Sequence, residues 1–161
     1  MPGETIEIRQ PVLDYLRGIA DERNKQGRIN GCKHRPGVTN DNAMRKGTIG
    51  EFAYCVWAGI DFRENQWLPR PWEDDDINGI QIRTTTREFG HLLTHDYDPP
   101  GAYVLVTLDK QHNDLVVATL RGWQWLHECN RPERWNTRLP YPAYATSQSA
   151  LHPMSTLTVN Y

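Results

Sequence analysis

The sequence predicts an α+β or α/β fold built on a mixed β-sheet. Three observations indicate this class: two helical segments come first, short strand-like segments follow, and Asn78-Gly79 marks a tight reversal before the first of them. Asn-Gly favours a two-residue hairpin turn because both residues tolerate positive φ. No repeat or low-complexity tract divides the chain, so we expect a single domain over residues 1–161.

The first helix and the segment after it are predicted from apolar spacing. Residues 11–26 carry apolar side chains at helical intervals behind a proline, so we expect an amphipathic helix that ends near Gly27. Residues 28–42 contain glycine, proline and several cations without periodicity, which predicts a basic loop leading into the core.

A second helix is predicted over residues 43–58, after candidate N-cap residues at positions 40–42. Its periodicity places Glu51 at the edge of the buried face. Gly47 and Gly50 lie close to Glu51 and leave room for another backbone or a ligand to approach.

Strands are predicted for most of the next part of the chain. The candidate strands are residues 80–86, 87–95, 102–108 and 115–120, with turns at 98–101 and 111–114. Beyond them we expect a short helix opening at Gly122, irregular chain over residues 130–144, and a last helical turn within 146–154.

Alternation along the strand after Asn78-Gly79 groups two polar side chains. Ile80 and Ile82 point to one face, whereas Gln81 and Arg83 point to the other. The run of three aspartates that ends at Asp76 comes just before the turn. An acidic turn beside two aligned polar residues marks a candidate site for metal-dependent phosphodiester chemistry.

Composition restricts the class of protein. The chain has 161 residues, of which 38% are hydrophobic and 24% charged, as in globular domains. We see no secretory signal and no apolar run long enough to span a bilayer, so we expect a cytoplasmic location. Three widely spaced cysteines argue against a disulfide framework.

Charge is distributed unevenly although the net charge is only −2. Residues 22–46 contain seven Lys or Arg and two acids, a local charge of +5. Residues 51–100 contain four Arg and ten acids, a local charge of −6. A basic arm next to an acidic centre fits a phosphate backbone held near a metal-binding carboxylate cluster, and it equally fits a solvated loop with ordinary ion pairs.

Glu51 in a helix, Asp76 before the turn and Gln81-x-Arg83 on the next strand resemble the PD-(D/E)XK nuclease superfamily. The pattern is similar to that of small phage-encoded members, here as D-x(4)-Q-x-R, and the likeness covers residues 47–154. The resemblance implies a restriction-endonuclease-like core, in which helices flank a central mixed sheet. It also implies DNA cleavage with Mg²⁺ or Mn²⁺, in the host cytoplasm if the protein is phage-encoded.

The resemblance assigns a role to each matching residue. Glu51 is the helical acid, Asp76 the principal metal ligand with Asp75 as the fallback, Gln81 occupies the usual Glu position and Arg83 the usual Lys position. The implied metal ligands are therefore Glu51, Asp76 and Gln81. The residues expected to contact nucleic acid are Arg28, Lys33, Arg35, Arg45, Lys46 and Thr85.

Two of these positions depart from the superfamily pattern. Arg83 cannot lose a proton as a buried lysine can, so it would act through charge and bidentate hydrogen bonds. Gln81 offers a neutral carbonyl oxygen and is a weaker ligand than a carboxylate. These departures leave open a non-catalytic protein of the same fold that binds nucleic acid or a host protein, as a counter-defence or assembly factor. They also leave open an acidic turn in which Glu51 merely pairs with Arg83.

Other patterns in the sequence are weaker. His91 and His95 share a face of a regular strand and are secondary candidates for substrate or metal contact. Cys32-x-His34 and His127-x-Cys129 contain zinc ligand types at atypical spacing. Most of the six tryptophans are expected to pack rather than stack on bases. A homodimer is compatible with the sequence, and no P-loop, dinucleotide or serine-hydrolase motif occurs in it.

Overall fold

The computed structural model describes residues 3–29, 41–64, 77–112 and 114–159. Its elements are strand β1 (Glu4–Arg9), helices α1 (Val12–Ile29) and α2 (Asp41–Ala58), strands β2 (Ile80–Thr85), β3 (Leu92–Thr94), β4 (Ala102–His112) and β5 (Leu115–Trp125), helix α3 (Leu126–Cys129), and strands β6 (Trp135–Asn136) and β7 (Ala143–Thr146). Single 3₁₀ turns lie at Phe62–Glu64, Pro132–Arg134, Gln148–Ala150 and Met154–Thr156.

The main sheet has four strands in the order β1-β5-β4-β2. Strands β1 and β4 are both antiparallel to β5, whereas β2 is parallel to β4, so the sheet is mixed. Strands β3, β7 and β6 form a second, antiparallel sheet. The predicted class, α+β with a mixed sheet, is therefore confirmed.

Helix α2 packs on one face of the main sheet, and α1 packs on α2. The buried core between α2 and the sheet includes Ile80, Ile82 and Val104. Gly50 leaves room for β2, because a Cβ at this position would overlap the Thr84 side chain. The close approach predicted at Gly50 is thus made by a strand side chain, whereas nothing lies within 4 Å of a Cβ added at Gly47.

The opposite face of the main sheet packs against the second sheet and α3. Tyr103 and Leu105 of β4 point to this side and pack against Leu92 of the second sheet and Cys129 of α3. Both long helices of the described ranges thus lie on one side of the main sheet, and mainly β-structure lies on the other. Within these ranges, each helix is too short or too polar to traverse a lipid bilayer.

The N-terminal part differs from the sequence prediction in two ways. Helix α1 continues past Gly27 to Ile29, so Arg28 is helical and not part of a loop. One glycine costs a helix only about 1 kcal/mol, which the packing of α1 on α2 offsets. Strand β1 was not predicted, although Ile6 and Ile8 alternate with polar residues as a half-buried strand requires.

The strands downstream also differ in length from the prediction. The strand predicted over residues 87–95 shortens to β3, and a turn occupies the residues after Arg87. Strand β5 does not end before Gly122 but continues to Trp125, so the short helix begins at Leu126. Gly122 has φ +141° and pairs with Leu105, whereas the next β4 residue, Val106, pairs with Leu120, so β5 has a bulge at this point and no helix starts there.

Candidate functional site

A tight turn precedes β2, as the Asn78-Gly79 pair predicts. Asn78 has φ +47° and Gly79 has φ +84°, the positive values that a type I′ turn requires. Ile77 and Ile80 close the turn through two backbone hydrogen bonds of 3.0 and 2.8 Å. The adjacent candidates Asp75 and Asp76 lie outside the described residues.

Strand β2 separates its side chains as the alternation predicts. Ile80 and Ile82 enter the core below α2, whereas Gln81 and Arg83 point to the opposite face. Gln81 is buried, and its Oε1 accepts a hydrogen bond of 3.4 Å from Arg83 Nη1. The structure therefore brings together the two residues at the usual Glu and Lys positions of the motif.

Arg83 has two further partners, neither of which was expected from the sequence. Its Nη2 lies 3.2 Å from Asp98 Oδ1, and the side chains of Arg83 and Asp98 are 14% and 0% exposed. Its guanidinium carbon lies 4.9 Å from the centre of the Tyr103 ring, within the range of a cation–π contact. Arg83 is a largely buried cation whose position is fixed from several sides.

Asp98 is the site residue that the sequence analysis missed, because it was assigned to the turn predicted over residues 98–101. The His95 backbone N–H donates a 2.8 Å hydrogen bond to Asp98 Oδ2. The Asp98 backbone N–H returns one of 3.1 Å to the His95 carbonyl. An aspartate directly before a proline, as in Asp98-Pro99, is a sequence signal for a turn closed by the aspartate side chain. Only the fold shows that Asp98 also pairs with Arg83.

Glu51 lies on α2 at the edge of the buried face, as the periodicity predicts. Its Oε2 accepts a 2.7 Å hydrogen bond from Arg23 Nη1 of α1, in an ion pair whose side chains are 14% and 9% exposed. The Arg23 guanidinium also lies 5.8 Å from the centre of the Phe62 ring. The Glu51–Arg83 pair considered as an alternative is therefore not the one formed.

The two buried ion pairs are on different sides of β2. Glu51 follows Gly50, which touches Thr84 on the α2 side, whereas Arg83 and Asp98 are on the side of Tyr103. Strand β2 is one of the two edge strands that the described residues give the main sheet. The described residues thus place Gln81 with Arg83 and place Glu51 separately.

The described residues among those expected to contact nucleic acid lie on α1, α2 and β2. Arg45 donates two hydrogen bonds of 2.9 and 2.8 Å to Asp21 of α1, and these hold the pKa of the Asp21 carboxyl below its ordinary value. Lys46 is half-buried, and Thr85 ends β2, where its hydroxyl accepts a hydrogen bond from the Arg87 backbone. Arg28 lies in α1, while Lys33 and Arg35 are outside the described residues.

The described residues contain no group of three or more His, Cys, Asp or Glu side chains arranged to hold a metal ion. His91 is exposed, and the His95 ring stacks on Tyr97 with its centre 4.8 Å away. Cys129 is buried, which raises the pKa of its thiol, whereas the neighbouring His127 is exposed. His127 and Cys129 thus differ in exposure, and Cys32 and His34 lie outside the described residues.

Comparisons with protein-family models, with curated proteins and with solved structures each gave no match to this chain.

Proposed function

We propose that this protein hydrolyses DNA phosphodiester bonds with the help of a divalent metal ion, as a small PD-(D/E)XK-like nuclease. One observation carries the proposal: Gln81 and Arg83 project side by side from β2, directly after a type I′ turn that follows three consecutive aspartates. A fixed cation beside acidic residues is what stabilisation of a phosphate under attack requires.

The donor atoms in the proposed site fit Mg²⁺ or Mn²⁺. Glu51 and Asp76 offer carboxylate oxygens and Gln81 offers an amide oxygen, and hard divalent cations prefer oxygen ligands. When bound, the metal supplies activation of the attacking water. Since Glu51 and Gln81 lie on different sides of β2, the proposal requires both side chains to reach one metal ion around this edge strand.

The side chains of the site have distinct tasks in this proposal. Arg83 donates hydrogen bonds to a non-bridging phosphate oxygen and offsets the charge that develops there. Arg23 balances the Glu51 carboxylate in the structure and must yield part of that contact when a metal ion binds. Lys46, together with Arg28, Lys33 and Arg35, would hold the DNA backbone in a salt-dependent manner.

Cleavage of plasmid and branched DNA tests the proposal. Asp76→Asn and Glu51→Gln keep side-chain shape but remove charge, so cleavage should fall about 100-fold or more. DNA affinity should be kept or should rise, because repulsion of the phosphate is relieved. Glu88→Gln, a change at an exposed acid beyond β2, is the matched control and should cut like the parent. If Asp75 and not Asp76 is the principal metal ligand, the loss of cleavage should occur in Asp75→Asn instead of Asp76→Asn.

A second function is favoured by the way Arg83 is paired. Its ion pair with the fully buried Asp98 is also what a structural role would require. In that case the protein binds DNA or a host protein through the same fold without cutting. DNA binding that is identical with and without metal, in a parent protein that does not cleave, would support this second function over the first.

A further inference from the structure

The guanidinium of Arg83 is held on three sides by residues from three elements. Gln81 accepts from Nη1 at 3.4 Å, Asp98 lies 3.2 Å from Nη2, and the Tyr103 ring covers one face at 4.9 Å. Among the described residues, Nη1 donates a hydrogen bond to Gln81, whereas Nη2 is paired with Asp98 as an ion pair and not as a hydrogen bond. Each terminal nitrogen carries two N–H groups, so the two nitrogens retain N–H groups that can donate to a phosphate.

Asp98 is itself immobilised by the second sheet. Its backbone and carboxylate exchange two hydrogen bonds with the backbone of His95. The His95 carbonyl also accepts a 3.1 Å hydrogen bond from Asn130, just beyond α3, and Asn130 in turn accepts one of 2.6 Å from Thr94 on β3. The position of Asp98 is thus set by β3 and α3. Through its ion pair, Asp98 in turn fixes the position of the Arg83 guanidinium.

We propose that Asp98 is a positioning residue that fixes the Arg83 guanidinium for phosphodiester cleavage, an inference that rests on the proposed function. An arginine side chain has many rotamers, and a misplacement of about 1 Å in a catalytic group can cost about 100-fold in rate. Asp98 also offsets the charge of Arg83, so this arginine acts through the direction of its hydrogen bonds more than through a net positive field.

This role predicts a loss in kcat that is not accompanied by a rise in KM. In Asp98→Asn the charge of Arg83 is released, which attracts DNA and leaves KM unchanged or lower. The orientation of Arg83 is lost, so kcat should fall about 10- to 100-fold. If Asp98 only supported the fold, the substitution would lower the fraction of folded, active enzyme, and the loss would follow the loss of stability. Asp96→Asn is the matched control, because Asp96 is an exposed acid in the same turn.

A double-mutant cycle provides the decisive experiment. Plasmid cleavage with Mg²⁺ is measured for the parent, Asp98→Asn, Arg83→Met and the double variant, at a temperature where circular dichroism shows all four to be folded. If Asp98 acts through Arg83, Asp98→Asn should change kcat less than about twofold in the Arg83→Met background. An equal loss of kcat in both backgrounds, or no loss in the parent background, would overturn the proposal.

Asp98→Glu keeps the test informative if Asp98→Asn does not fold. This variant retains the charge but moves the carboxylate by one methylene, so kcat should fall severalfold while KM stays at the parental value. Parental kcat in Asp98→Glu would refute the positioning role alone. A parent that does not cleave in any metal would refute the proposed function, and the positioning role with it.

Discussion

Arg83→Met tests the buried ion pair on β2 through stability, and it does not depend on activity. The substitution removes the cation while keeping a flexible side chain of similar length. It leaves Asp98, whose side chain is 0% exposed, without the guanidinium that lies 3.2 Å from its carboxylate. It also removes the cation from the Tyr103 ring.

The size of the expected loss follows from these contacts. Breaking a buried ion pair by removing one partner costs about 3–5 kcal/mol. A methionine can still pack on the ring, and the 14% exposure of Arg83 indicates some access of water to the pair, so we expect the lower end, about 3 kcal/mol. For a protein of this size that loss lowers Tm by roughly 6–12 °C.

Thermal and urea unfolding of Arg83→Met and three comparison variants measure this effect. Arg87→Met is the matched control, since Arg87 is an exposed arginine just after β2, and its loss should stay within about 0.5 kcal/mol. Arg83→Met/Asp98→Asn should recover at least about 1 kcal/mol relative to Arg83→Met, because the buried charge that has lost Arg83 is removed as well. Arg83→Lys should lose less than Arg83→Met, because a cation is kept.

One result would refute this reasoning. If Arg83→Met melts within about 2 °C of the parent, as the Arg87→Met control should, then the ion pair with Asp98 contributes nothing measurable. If Arg83→Met/Asp98→Asn is no more stable than Arg83→Met, then the loss in Arg83→Met does not come from the buried Asp98 carboxylate.

Three further predictions concern metal, helix packing and thiols. Mg²⁺ or Mn²⁺ at about 100 times Kd should raise the free energy of unfolding by about 2.7 kcal/mol, which is measured as a rise in Tm. The Asp76→Ala variant should show no such rise. An equal rise in Tm for parent and variant would exclude a metal site at Asp76. Gly50→Ala should destabilise by about 1–3 kcal/mol through overlap with β2, whereas Gly47→Ala, where nothing lies within 4 Å of the added Cβ, should be neutral or stabilising in the same melts. Cys129 should resist maleimide until unfolding, since burial raises its pKa, and rapid native labelling detected by mass spectrometry would contradict this.

Local patterns predicted the parts of the fold that depend on local physics. The turn at Asn78-Gly79, the body of α2 and the alternation along β2 all follow from backbone preferences and apolar periodicity. The length of β5 was not predictable in this way. In the sequence, Gly122 indicates the end of a strand. Only the pairing with β4 shows that β5 continues through a bulge at this glycine.

The site was predictable only in part, because its ion pairs join distant segments. The pairing of Gln81 with Arg83 follows from period two along one strand. The Arg23–Glu51 and Arg83–Asp98 pairs depend on how α1 packs on α2 and on how the turn after β3 meets β2. No spacing in the sequence encodes either contact, since the partners are chosen by tertiary packing.

The most direct test of the proposed nuclease activity is the initial rate of plasmid nicking by parent and Asp76→Asn proteins purified in parallel. We predict nicking by the parent in Mg²⁺ or Mn²⁺, none in EDTA, and a rate about 100-fold lower for Asp76→Asn. Absence of nicking by the parent in either metal, or equal rates for the two proteins, would contradict the proposal.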